Sequence, residues 1–134
     1  MLKYLLDTNI VIYVIKRRPL EVLATFNNHA GKMAVSSITE AELYYGVEKS
    51  QYPQKNGRIV EDFLSRLTIL PYDSKAASHF GSIKADLAKK GTLIGENDIH
   101  IAAHARSQGL ILVSNNFKEF QRVQGLMLEN WINT

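Results

Sequence analysis

Three carboxylates stand where short apolar runs meet helical segments. Asp7 follows Leu2–Leu6, Glu42 lies in the first turns after Met33–Val35, and Asp98 begins the segment that precedes Leu110–Val113. A fourth junction, after Leu110–Val113, carries Ser114, Asn115 and Asn116. If the apolar runs are strands of one parallel sheet, all four junctions meet on one edge, where ligands of such sheets bind. Carboxylates gathered in one cleft repel each other and require a cation, and an all-oxygen donor set suits Mg²⁺ or Mn²⁺. Such an ion lowers the pKa of a bound water and neutralises charge on a phosphodiester under attack. Hydrolysis of a nucleic-acid backbone is the chemistry this set would perform. Taken singly, each acid also fits a helix cap, where the dipole favours negative charge. Asp7 fits that role least, because Thr8 and Asn9 follow it and could cap the helix in its place.

The elements that must position these residues alternate in type. Leu2–Leu6 reads as a buried strand and Thr8–Lys16 as a helix opening directly after it. Pro19 suits a first helical turn and starts a second helix through about Asn28. Met33–Val35 is a short strand. Ser37-Ile-Thr-Glu40 and Thr39-Glu-Ala-Glu42 are overlapping capping boxes, placing a helix start near Ile38–Glu40 and its end at about Lys49. Pro53 and Gly57 are read as the turn after it, Arg58–Leu67 as a helix and Thr68–Leu70 as a strand. Ser74–Lys90 and Asp98–Gln108 are helices, each followed by a glycine (Gly91, Gly109) at the position of a left-handed cap. Leu110–Val113 is a strand, Asn115–Phe120 a turn and short helix, and Leu126–Leu128 a last edge strand. Strands alternating with helices predict an α/β sandwich with a mostly parallel central sheet.

The other residue types point away from competing chemistries. His100 and His104 are four apart on one helix, but Asp98 and His100 project roughly 200° apart there, so they do not share a metal. A structural or surface role is assigned to both, and His29 and His79 stand alone. Neither a Gly-x-Ser-x-Gly elbow, a Walker loop, a Gly-x-Gly-x-x-Gly turn nor a His-Glu-x-x-His pair is present. Lys16-Arg17-Arg18, Lys84, Lys89-Lys90, Arg106, Lys118 and Arg122 are candidates for a basic rim that guides a phosphate backbone, most of them being simply solvated. Tyr44, Tyr45 and Tyr72 could stack on unpaired bases, core or interface packing being the plainer reading. Thr8 and Ser114 either orient carboxylates or water through their hydroxyls, or serve as a helix cap and a local turn bond.

The 134 residues are one domain's worth of chain, with 46% hydrophobic and 22% charged residues, enough apolar material for one core. The formal charge of +3 permits nucleic-acid binding without requiring it. The longest apolar run, Ile10–Ile15, is far short of the ~18 residues of a membrane span. Asp7 interrupts the stretch after Lys3, against a signal peptide. With 0 Cys, disulfides, thiolate metal sites and cysteine nucleophiles are excluded, which fits a cytoplasmic protein.

Leu5-Leu-Asp-Thr-Asn-Ile10, Ser36-Ser-Ile-Thr-Glu-Ala-Glu-Leu-Tyr-Tyr-Gly46, Ile94-Gly-Glu-Asn-Asp-Ile-His-Ile-Ala-Ala-His-Ala105 and Leu112-Val-Ser-Asn-Asn116 stand in the order and spacing of the PIN-domain blocks. Asn115-Asn-Phe-Lys-Glu-Phe120 and Leu128-Glu-Asn-Trp131 resemble in particular the VapC toxins of bacterial type II toxin–antitoxin modules. The resemblance runs over essentially the whole chain and implies a single PIN domain over residues 1–134, a three-layer α/β sandwich. It further implies a Mg²⁺-dependent endoribonuclease, a homodimer, and a cognate VapB antitoxin whose tail covers an apolar groove around Ile10–Ile15 and Leu43–Val47. The family's acids map onto Asp7, Glu42 and Asp98, with Asp7 and Asp98 the most direct ligands and Glu42 direct or through water. The fourth position, often Asp, is taken by Asn116, with Asn115 as the alternative equivalent. This departure favours one metal over two, and Glu119 could partly substitute if it turns inward. The substrate implied is structured RNA, and likeness to the enteric type points to the anticodon loop of initiator tRNA. Asn116 also leaves open a catalytically silent PIN domain serving as an RNA-binding or assembly module. A third reading is an interaction subunit whose acids only cap helices.

Overall fold

The computed structural model describes residues 1–132, so the last two positions of the expected 1–134 domain lie outside the described residues. The elements run β1 (Tyr4–Leu6), α1 (Thr8–Lys16), α2 (Leu20–Asn28), β2 (Met33–Ser36), α3 (Ser37–Glu48), α4 (Pro53–Leu64) and β3 (Thr68–Leu70). They continue as α5 (Ser74–Lys89), α6 (Glu96–Gln108), β4 (Ile111–Val113), α7 (Phe117–Phe120) and β5 (Leu128–Glu129). The sheet has the order β3-β2-β1-β4-β5, and every pairing in it is parallel. The order reverses at β1, with β2 on one side and β4 on the other. In an open parallel sheet a ligand crevice opens beyond the carboxyl ends of the strands at such a switch.

Side chains alternate across the sheet as the strand period requires. Tyr4 and Leu6 of β1, with Met33 and Val35 of β2, enter a core shared with α1, α2, α3 and α4 and closed by Trp131 and Ile132. Leu5, Ala34 and Leu112 face the other way, into a core built with α5, α6 and Phe120. Both faces are covered, which is why the strands read as continuous apolar runs. The expected three-layer α/β sandwich is the architecture found. Among the described residues no helix is long and apolar enough to cross a membrane.

Several expected boundaries move, each for a local reason. The segment read as a turn at Pro53 and Gly57 is helix α4: Pro53 occupies its first turn, where the missing N–H costs nothing. Gly57 lies inside that helix, and a Cβ there would stand 3.5 Å from Val47 Cγ1, in ordinary contact with α3. Helix α4 then ends at Leu64, before the expected Leu67. Helix α3 is capped by neither expected residue. Ser36 Oγ accepts from Ile38 N at 3.1 Å, Ser37 Oγ accepts from Tyr72 N at 3.0 Å, and Thr39 is buried. Helix α6 starts two residues before Asp98, with Gly95 at its N-cap.

Candidate functional site

The parallel sheet and the helices that leave it bring the three expected acids to one edge. Asp7 follows the last residue of β1 and is 4% exposed. It is itself the N-cap of α1, its Oδ1 accepting from Thr8 N at 2.8 Å, which corrects the expectation that Thr8 or Asn9 would cap that helix. A carboxylate matches the positive end of the dipole better than a hydroxyl does. Its second oxygen, Oδ2, accepts from the buried Ser114 hydroxyl at 2.9 Å. Ser114 follows β4, and the backbone N–H of Asp7 bonds Val113 O at 2.9 Å, so strand pairing itself sets this contact. Asp7 therefore sits at the sheet's switch point.

Glu42 and Asp98 are half-buried beside it. Glu42 projects from α3 and accepts from the Thr8 hydroxyl at 2.7 Å through Oε1 and from Asn97 Nδ2 at 3.3 Å through Oε2. Asp98 lies in the first turn of α6. Burial pushes the Asp7 carboxyl up to about 6, and the like charges of Asp98 and Glu42 add to it, against the lowering bonds from Ser114 and Thr8. Asp98 is raised as well, by burial first and then by Glu42 and Glu119. Glu119 on α7 therefore belongs electrostatically to the cluster. Among the described residues, the groups that shift Asp7 and Asp98 include neither Lys nor Arg.

The two asparagines separate. Asn115 Nδ2 reaches the Tyr13 hydroxyl at 3.4 Å, towards α1, whereas Asn116 is joined to the site through its backbone N–H, which donates to Ser114 Oγ at 2.9 Å. The histidines take structural places. His100 Nδ1 pairs with the Tyr72 hydroxyl at 2.7 Å and its ring stacks on Phe80 at 4.1 Å. His104 is fully buried, with Nδ1 on Ser36 Oγ at 2.7 Å. Among the expected basic rim, Arg106 is held by His79 and the Gln124 carbonyl, Lys84 by Glu96 and Lys90 by Asp86. Tyr44 and Tyr45 are exposed, 39% and 67%, so core packing does not describe them.

A hard divalent cation is the partner this chemistry fits: carboxylate oxygen donors that repel one another at one edge of the sheet. Among the described residues no three acids or imidazoles already stand close enough to form a ready-made cage. The cluster is thus a ring of repelling acids that a cation would draw together. Beside it, an apolar groove of about 560 Å³ opens between α1, α3 and α4, lined by Ile12, Ile15, Leu43, Gly46 and Ile59 and reaching Glu42.

The PIN domain family profile matches residues 4–126. A Haemophilus influenzae protein, "Ribonuclease VapC2", is 74% identical over 132 residues, covering 98% of this chain and 100% of that one. A Shigella flexneri protein, "tRNA(fMet)-specific endonuclease VapC", is 53% identical over 131 residues, covering 98% and 99%. The solved VapBC of Salmonella typhimurium, bound to DNA, superposes with a TM-score of 0.95 at 49% identity, covering 98% of this chain and 100% of that chain.

Proposed function

The chain belongs to the PIN-domain family, among its VapC ribonucleases, and on that premise we propose that Asp7, Glu42 and Asp98 hold one divalent cation for the hydrolysis of RNA. The ion is Mg²⁺, with Mn²⁺ as a substitute. The observation that carries this reading is Asp7: a carboxyl buried at the sheet's switch point, raised to about 6, with two more acids acting on it and, among the described residues, no basic group offsetting them. When bound, the cation supplies an activated water and offsets charge on the phosphate. Ser114 and the Thr8 N–H fix both oxygens of Asp7, so the carboxylate needs no reorganisation to act. The N-termini of α1 and α6 add positive potential at the same edge. Asn116 offers a carbonyl oxygen without a charge, which supports one strongly held ion over two, and Glu119, whose negative charge acts on Asp98, makes up only part of that loss. A single PIN domain over 1–134 is the unit proposed.

Such an enzyme is the toxin of a type II module, working in the bacterial cytoplasm as a homodimer. The apolar groove that ends at Glu42 suits the amphipathic tail of a VapB-type antitoxin. Structured RNA is the substrate class, and the name of the Shigella flexneri relative, a tRNA(fMet)-specific endonuclease, supports initiator tRNA; the anticodon loop is the place of the cut that the resemblance implies. Antitoxin-free protein incubated with bacterial tRNA should yield discrete fragments with Mg²⁺, none with EDTA, and none from Asp7→Ala. Asn116 favours a second reading, a silent PIN domain that binds RNA or assembles with partners. Folded protein that leaves tRNA and a wider RNA panel intact with Mg²⁺ and Mn²⁺ would establish that reading instead.

A further inference from the structure

Glu42 is anchored by a chain of hydroxyls. Thr8 Oγ1 lies 2.7 Å from Glu42 Oε1 and 3.0 Å from Thr39 Oγ1. A hydroxyl has one proton to give, and an ionised carboxylate has none. The proton between Thr8 and Glu42 therefore comes from Thr8, and Thr39, fully buried on α3, donates in turn to Thr8. Thr8 belongs to the first turn of α1, immediately after Asp7, while Thr39 and Glu42 stand three apart on α3 and share a helix face. The two helices that leave β1 and β2 are thus tied at the point where their acids meet. On the other side, among the described residues Glu42 Oε2 has only the Asn97 amide, at 3.3 Å and exposed.

We propose that Thr8 is a positioning residue: the relay from Thr39 through Thr8 pins one oxygen of Glu42 and leaves the other to engage the cation or its water. The relay rests on the metal-site reading above. It explains why a long, flexible carboxylate placed well inside α3 serves beside the short, doubly held Asp7. A pinned Glu42 loses little rotamer freedom when a cation arrives, whereas an unpinned one must be ordered at that moment. Groups that orient ligands in this way typically weaken metal binding or activity ~10–100-fold when removed.

The test compares wild type, Thr8→Val, Thr8→Ser and Thr39→Val, reading Mn²⁺ affinity by electron paramagnetic resonance and the kcat and KM of tRNA cleavage. Thr8→Val should bind Mn²⁺ about tenfold more weakly and lose kcat by a similar factor, with KM for RNA little changed. Thr8→Ser, which keeps the donor, should restore both readouts. Thr39→Val should show a smaller loss of the same kind, and it carries the test if Thr8→Val does not fold. Thr8→Val with wild-type affinity and kcat would overturn the proposal, as would Thr8→Ser behaving like Thr8→Val. Wild type that neither binds Mn²⁺ nor cleaves RNA would instead overturn the metal-site reading on which the relay rests.

Discussion

Asp7→Asn should make the metal-free protein more stable at neutral pH while ending RNA cleavage. Its carboxyl is raised from 3.8 to about 6 by burial and by its acidic neighbours, which corresponds to about 3 kcal/mol against the ionised form. Asparagine keeps an oxygen for the Thr8 N–H but puts an amide where Oδ2 accepts from Ser114. Loss of that bond costs about 1 kcal/mol. A net gain of about 2 kcal/mol remains, or roughly 5–8 °C in melting temperature for a domain of this size. Because the folded-state value lies above the unfolded one, the folded protein holds the proton more tightly. The Asp7 contribution is therefore fully present below about 3.8 and is lost as pH rises through about 6.

Thermal unfolding by circular dichroism in EDTA, at pH 7.5 and stepwise down to pH 4.5, measures this against wild type, beside a tRNA cleavage assay in Mg²⁺. The variant should melt higher at pH 7.5, and the gap should close on acidification as wild-type Asp7 takes up its proton. Taking the difference between the two proteins removes the groups they share. A purely capping Asp7 predicts something else, since Asn caps a helix about as well as Asp: equal melting points at every pH, with cleavage intact. A variant that melts at or below wild type at pH 7.5, with a gap that pH does not change, would refute the argument from burial and repulsion.

In the Asp7→Asn background, stability in EDTA should fall between pH 7 and 5 because burial lowers the His104 pKa from 6.5. The stability of its neutral ring is present above 6.5 and is lost as pH falls through the lower folded value, so adding His104→Leu should flatten that slope in the same melts. Asn116→Asp should raise the Mn²⁺ stoichiometry seen by calorimetry from one towards two and lower the melting temperature in EDTA, since it adds a like charge to a repelling cluster. Gly46 has open space where a Cβ would stand and lines the apolar groove. Gly46→Phe should fill that groove and weaken co-purification with the antitoxin, while helix α3 gains about 0.5 kcal/mol from losing a glycine.

Much of this site was legible because its residues sit at junctions that periodicity marks well. An apolar run followed by an acid locates Asp7, and parallel topology alone brings it beside Ser114 and the helices of Glu42 and Asp98. What the pattern could not supply were contacts between residues far apart in the chain. Thr8 fits by type both a helix cap and a hydroxyl that orients a carboxylate, and only its distances to Thr39 and Glu42, 31 and 34 positions away, favour the second. Glu119 likewise shows its effect only through the field it places on Asp98. The expected helix over Arg58–Leu67 lacks the first turns of α4 because Pro53 and Gly57 are turn residues by propensity, whereas Pro53 fits a first helical turn and the burial of Val60 and Leu64 holds the segment as one helix.

Asp7 carries the more general point. By residue type, capping and metal binding are rival roles for it, yet the structure leaves room for both: Oδ1 caps α1, and the same carboxylate feels the charges of Asp98 and Glu42, where the metal role is proposed. The two roles are physically compatible because both place negative charge where the N-terminus of a helix is positive. The cap bond and the Ser114 bond stabilise the charged form, and burial with two neighbouring acids opposes it more strongly. A carboxylate held in that balance is fixed in place, short of counter-charge and at the carboxyl edge of a parallel sheet. A divalent cation relieves the repulsion without disturbing the cap, so the residue that starts helix α1 can also be the one that recruits the metal.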